Sequence, residues 1–120
     1  MKYFKLSEFG CHHCGLVRMD DAFLASLDTL RERCGFPLIV SSGYRCPEYN
    51  ERVSETGSDG PHTHGVAVDF AVSRLQAYTL LRAALDMGFK GIGVKQKGER
   101  GARFIHLDMM VDLRPNVWSY

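Results

Sequence analysis

Gly60-Pro61-His62-Thr63-His64-Gly65-Val66-Ala67-Val68-Asp69-Phe70 is the stretch from which the rest of the chain can be read. Val66, Val68 and Phe70 alternate with Ala67, Asp69 and Ala71, the period of a strand with two different faces. His62 falls just before that strand and Asp69 lies on it, opposite the apolar residues. A carboxylate on a strand flanked by small apolar residues is costly to bury unless something pairs with it. A metal ion would do so. Gly65 and Ala67 are small enough to let another group come close to the backbone.

Further along, Phe104-Ile105-His106-Leu107-Asp108 repeats the pattern. His106 and Asp108 share one face of a strand, and Ile105 and Leu107 make the other. His62, Asp69 and His106 together supply two nitrogens and one oxygen, which leaves a fourth position on zinc for water, the pattern of a catalytic site. The ligand types alone also admit iron or manganese. The competing reading is three ordinary polar residues in strands.

Around these stretches the chain divides simply. Residues 20–34 read as an amphipathic helix, with Phe23, Leu24, Leu27 and Leu30 at helical spacing and Asp20 and Asp21 at the N-terminal end. Gly35 and Pro37 stop it. Leu38 to Val40 reads as a short strand, Ser41 to Arg45 as a polar turn, and Pro47 to about Val53 as a short helix. Residues 55–61 are loop by composition. Ser73 is a candidate cap for a further helix with an apolar stripe of Leu75, Tyr78, Leu81 and Leu85, joined by Ala77 and ended by Gly88. Ile92 to Val94 and Phe104 to Met110 read as strands close enough to form a hairpin. The order α-β-α-β-α-β-β predicts an α+β fold with a mainly antiparallel sheet. The stretch from Arg114 to Tyr120 is expected to cover an edge.

At 120 residues the chain is expected to form one domain, residues 1–120, around one core. The net charge of +1 gives no basic excess for nucleic acid. No apolar run is long enough to span a membrane, and residues 1–15 do not read as a secretory signal. The expectation is a monomer made in the cytoplasm. Of the four cysteines, Cys34 ends a helix and suits a core. Cys11 and Cys14 form a Cys-x-x-Cys pair, half of a structural zinc site, and Cys46 with His12 or His13 is the candidate completion. Free thiols, or a Cys11–Cys46 cross-link, are the alternatives.

Three motifs in order, Ser42-Gly43-Tyr44-Arg45, His62-x-x-Gly65-x-Ala67-x-Asp69 and Phe104-Ile105-His106-x-Asp108, resemble those of the zinc D-Ala-D-Ala carboxypeptidases and the phage endolysin peptidases related to them. Phe4-Lys5-Leu6-Ser7-Glu8-Phe9 resembles the opening of the small single-domain members, and Gly91-Ile92-Gly93-Val94 the strand before their last ligand. The resemblance implies the fold shared with the hedgehog signalling domain. It also implies Zn2+ as cofactor, held by His62, Asp69 and His106, and peptidoglycan stem peptide as substrate. Arg45 matches the arginine that holds a substrate carbonyl or carboxylate, a role suited to a permanently charged, forked donor. Tyr44 adjoins it and is the aromatic residue expected to touch substrate. Zinc would activate water for attack on the peptide bond, in a carboxypeptidase or an endopeptidase. A protein without a secretory signal would reach the wall by release or delivery, as a phage lysis protein does.

The chain departs from the family at the general base. Several relatives carry Glu or Asp three residues before the last histidine ligand, where this chain has Arg103. Others carry His two residues before it, where this chain has Phe104. Asp108 is the first candidate for the base, with a supporting role behind His106 as the alternative. His64 is the second candidate, and His13 would have to fold over the site. The departure keeps open a zinc-retaining module that binds cell wall, or forms part of a phage particle, without cutting.

Overall fold

The computed structural model describes residues 1–120. After a 3-10 turn at Leu6–Phe9, the elements are α1 (Asp21–Cys34), β1 (Ile39–Ser42), α2 (Pro47–Val53), a 3-10 turn at Pro61–His64, β2 (Ala67–Ala71), α3 (Arg74–Met87), β3 (Gly91–Lys95), a 3-10 turn at Arg100–Ala102, β4 (Phe104–Asp108) and β5 (Asn116–Ser119). The strands form one sheet in the order β1-β2-β4-β3-β5. Every pairing is antiparallel except β3 with β5, which is parallel. The fold is α+β with a mostly antiparallel sheet, as the order of elements predicts.

The helix ends follow local chemistry. The Asp20 carboxylate accepts from the Phe23 backbone N–H at 2.9 Å and caps α1. Gly35 closes it in the left-handed conformation, φ 75°. Phe23, Leu24, Leu27 and Leu30 are buried beneath α1, and the cluster continues into Val68 and Phe70 of β2, Ile105 and Leu107 of β4, and Ile92 of β3. One face of the sheet is thus the core face. The alternating residues Asp69, His106, Asp108, Gly91 and Gly93 share the opposite face.

Three expectations need correction. Leu75, Tyr78 and Leu85 are 76%, 66% and 60% exposed, and the buried face of α3 is Ala77, Leu80 and Ala84. α3 lies against α1 and β4, and its alanines are the residues that permit close approach there. Ser73 makes no capping bond to α3, and its hydroxyl instead accepts from Arg100 Nε at 3.3 Å. Ser41 and Ser42 belong to β1 rather than to a turn, because Ser42 pairs with Asp69 beyond an irregularity after Val40. The final stretch forms β5 along the free edge of β3.

Candidate metal centre

The sheet register assembles the site. Asp69 on β2 pairs with His106 on β4, His106 pairs with Gly93 on β3, and Gly93 pairs with Trp118 on β5. With Ser42 opposite Asp69, the row runs Ser42, Asp69, His106, Gly93, Trp118. His62 enters from the 3-10 turn, where Gly65, φ 71°, reverses the chain into β2. A Cβ on Gly65 would also collide with the Arg18 carbonyl oxygen, so the turn admits only glycine.

His62, Asp69 and His106 are all buried, and one ligand atom from each lies within 4.8 Å of the other two. His62 Nδ1 is 2.7 Å from the Gly43 carbonyl oxygen, an acceptor only, so Nδ1 carries the proton and Nε2 is left with a lone pair. That Nε2 is 3.3 Å from Asp69 Oδ1. His106 Nε2 donates to Asp108 Oδ2 at 2.7 Å, which leaves Nδ1 facing Asp69 Oδ1 at 2.9 Å. Two imidazole nitrogens and a carboxylate oxygen therefore point at one place. With both other ring nitrogens committed as donors, the converging atoms repel unless a proton or a cation lies among them. The donor set fits a divalent cation of the zinc type.

Within the protein's own groups, the electrostatics treat the two histidines differently. Burial opposes charge on Asp69, but the adjacent His106 and His62 rings, whenever they carry a proton toward it, outweigh burial and hold the carboxyl far below its usual range. Burial drives His62 toward the neutral form, the form that binds metal. For His106 burial acts the same way, but Asp108 and Asp69 overcome it and raise its pKa.

Arg45 reaches the cluster. It donates from Nη2 to Asp69 Oδ2 at 3.4 Å, from Nε to Ser42 Oγ at 3.1 Å and from Nη1 to Asn50 Oδ1 at 3.3 Å. It stands beside the candidate ligands and also fixes the outer oxygen of Asp69. Asp108 lies behind His106, fully buried, and its two oxygens accept from Arg114 Nε at 3.0 Å and Nη2 at 2.9 Å. With its oxygens engaged in this way, Asp108 is placed to orient the His106 ring. Of the two roles expected for Asp108, the geometry favours support behind His106. His64 is half-exposed and turned to Asp59 at 2.7 Å, outside the cluster. Tyr44 is buried, with its backbone N–H bonded to the Phe9 carbonyl at 2.8 Å. Its ring therefore has no surface to offer a substrate. Arg103 points away to the Gly98 carbonyl at 3.0 Å.

The role of Arg114 escapes the sequence reading, as does the contact of Trp118 with His106. Trp118 packs on His106, ring centroids 5.2 Å apart, and Arg114 lies over Trp118 at 5.1 Å. The signal for this was Gly93: a Cβ there would come within 2.5 Å of the Trp118 indole nitrogen.

A buried two-histidine, one-carboxylate cluster on one face of a mostly antiparallel α+β sheet is a candidate metal site of the kind that metal-dependent hydrolases use. The family model described as Peptidase M15 matches residues 2–108, and the chain belongs to that family of peptidases. No curated protein matches the chain significantly.

Proposed function

We propose that this protein is a zinc-dependent peptidase acting on the peptide stems of bacterial cell wall, as a carboxypeptidase or an endolysin-type endopeptidase. The observation that carries the reading is the convergence of His62 Nε2, His106 Nδ1 and Asp69 Oδ1, each held by a partner that leaves the inward atom free. Those three residues would hold the ion. When bound, zinc supplies Lewis acidity and an activated water nucleophile. Asp108 holds the His106 proton at Nε2, and the Gly43 carbonyl holds that of His62 at Nδ1, so both rings stay in the ligating tautomer. Arg45 sits at the rim of this arrangement, its side chain 16% exposed. A small rotation away from Asp69 would give a substrate oxyanion or terminal carboxylate a charged donor. The protein would meet its substrate after release or delivery to the wall, in a phage or a bacterial setting, and act as a monomer.

A second reading rests on Arg103. A cation that turns to Gly98 replaces the expected acid, and Asp69 and Asp108 are the only carboxylates paired with the two histidines. A zinc-bearing wall-binding module would look the same. Incubation of wild type and His106→Ala with purified peptidoglycan, with and without added zinc, separates the two. Zinc-dependent release of amino acid or peptide, lost in the variant, supports the peptidase. Binding without release, at one zinc in this site, supports the module.

A further inference from the structure

The segment Cys11-His12-His13-Cys14 lies apart from the catalytic cluster and is not explained by it. The backbone turns tightly there: Cys11 N–H donates to the Leu16 carbonyl, and Gly15 N–H to the Cys11 carbonyl, both at 2.8 Å. Gly15 takes φ 76°. The turn brings the two thiols of the Cys-x-x-Cys pair to one side. Cys46, far along the chain, meets them. The three sulfurs lie within 4.8 Å of one another, and all the cysteines are free thiols. Zinc–sulfur bonds of about 2.3 Å place tetrahedral ligands about 3.8 Å apart, so the cluster needs only a small contraction.

Two further observations point to a cation. Cys46 N–H donates to Cys11 Sγ at 3.4 Å, an arrangement that favours the thiolate. His13 presents Nδ1 at 3.5 Å from Cys46 Sγ and is held there by stacking on Tyr49, 5.9 Å between centroids and 11° between planes. His12 is committed elsewhere, its Nε2 2.9 Å from the Ser41 carbonyl oxygen. His13 stands beside Cys46 but outside the 4.8 Å group that the three sulfurs form, and is the nearest side chain that could swing in as a fourth donor.

We propose that Cys11, Cys14 and Cys46 bind a second ion, a structural zinc, with His13 moving in from beside Cys46 to close it as the fourth ligand. Binding displaces the thiol protons to solvent and oxidises nothing. The ion would join the N-terminal segment to the loop 43–46, which carries both Arg45 and the Gly43 carbonyl that holds His62. The two segments already touch: Tyr44 N–H bonds to the Phe9 carbonyl, and a Cβ on Gly43 would lie 2.6 Å from Phe9 Cα. A zinc at Cys46 would keep this contact closed and brace one wall of the catalytic cluster.

Cobalt(II) substitution tests the site without any assay of activity. Thiolate ligands give cobalt an intense near-ultraviolet charge-transfer absorption, and a two-histidine, one-carboxylate site gives none. Reduced, metal-stripped protein titrated with cobalt should develop that band in wild type and in His106→Ala, and lose it in Cys14→Ser. Cys14 is exposed, so its replacement leaves the core alone. Zinc content should be two per chain in wild type and one in each variant. A thiolate band kept in His106→Ala, with one zinc lost, supports the second site independently of the first, whereas two zincs retained in Cys14→Ser overturn it. The proposal is overturned if cobalt-loaded wild type shows no thiolate band. It is equally overturned if the three cysteines react with a thiol reagent at the same rate with and without zinc, or if mass spectrometry of the isolated protein finds Cys11 and Cys46 joined as a disulfide.

Discussion

Asp108 shows how much of this site is set by one residue that touches no candidate metal position. It is fully buried, receives two hydrogen bonds from Arg114, one from the Met110 backbone at 3.1 Å, and one from His106. Asp108→Asn removes the charge that fixes the His106 ring. Loss of such a partner typically weakens metal affinity by about 10–100-fold. Competition with a chromophoric chelator should show this weakening, and unchanged affinity would remove Asp108 from its positioning role. Burial raises the Asp108 pKa, but His106 and Arg114 outweigh it and bring it down to about 2, from 3.8. A carboxyl depressed on folding stabilises the protein above its ordinary value, and that stability is lost as pH falls through about 2. Arg114→Met relaxes the depression. In the metal-stripped protein its acid unfolding midpoint, followed by circular dichroism, should therefore move to higher pH; a midpoint that stays put would show that Arg114 does not set it.

At the scale of elements, α3 offers the sharpest contrast. Leu80 is fully buried between α1 and the sheet, and Leu75 is 76% exposed. Leu80→Ala should cost about 2–5 kcal/mol, whereas Leu75→Ala should stay within about 0.5 kcal/mol. Urea unfolding of the two variants decides it, and comparable losses would mean that α3 does not bury Leu80 in preference to Leu75. The same helix marks where sequence stops being informative. The stripe of Leu75, Tyr78, Leu81 and Leu85 is the more hydrophobic by bulk, but helix packing selects Ala77 and Ala84 because they are small. Strand faces were easier to read: the period-two alternation puts Asp69 and His106 opposite Val68, Phe70, Ile105 and Leu107. What alternation cannot give is which strand lies beside which. The pairing of Asp69 with His106, 37 residues apart, comes from β2 and β4 meeting in register. Arg114 left no trace in the pattern because it comes from an irregular segment, where no periodicity says which way a side chain points.

Across the whole molecule, the family match ends at Asp108, yet the chain continues into β5 and lays it along β3 with Ile92 opposite Val117 and Gly93 opposite Trp118. These last residues supply the two Arg114 bonds to Asp108 and the Trp118 ring on His106. Tyr120 packs on Phe104 at 5.0 Å. Gly91 and Gly93 make this possible, because a Cβ at either would collide with Asp108 or Trp118. The C-terminal segment is therefore part of the face that carries the candidate metal site and does more than cover an edge. A chain ending at Met110 keeps every candidate ligand but leaves Asp108 buried without its guanidinium and exposes the β3 edge. Breaking a buried charge pair costs about 3–5 kcal/mol, which for a chain of this size lowers the melting temperature by on the order of 10 °C. The truncated protein should melt earlier by that amount and bind metal more weakly than wild type. Trp118→Ala, which leaves Arg114 and the strand in place, should cost less in both measurements. A truncated chain that melted and bound metal like the full one would show that the sheet face holds His106 without β5, and that the final strand belongs to the edge alone.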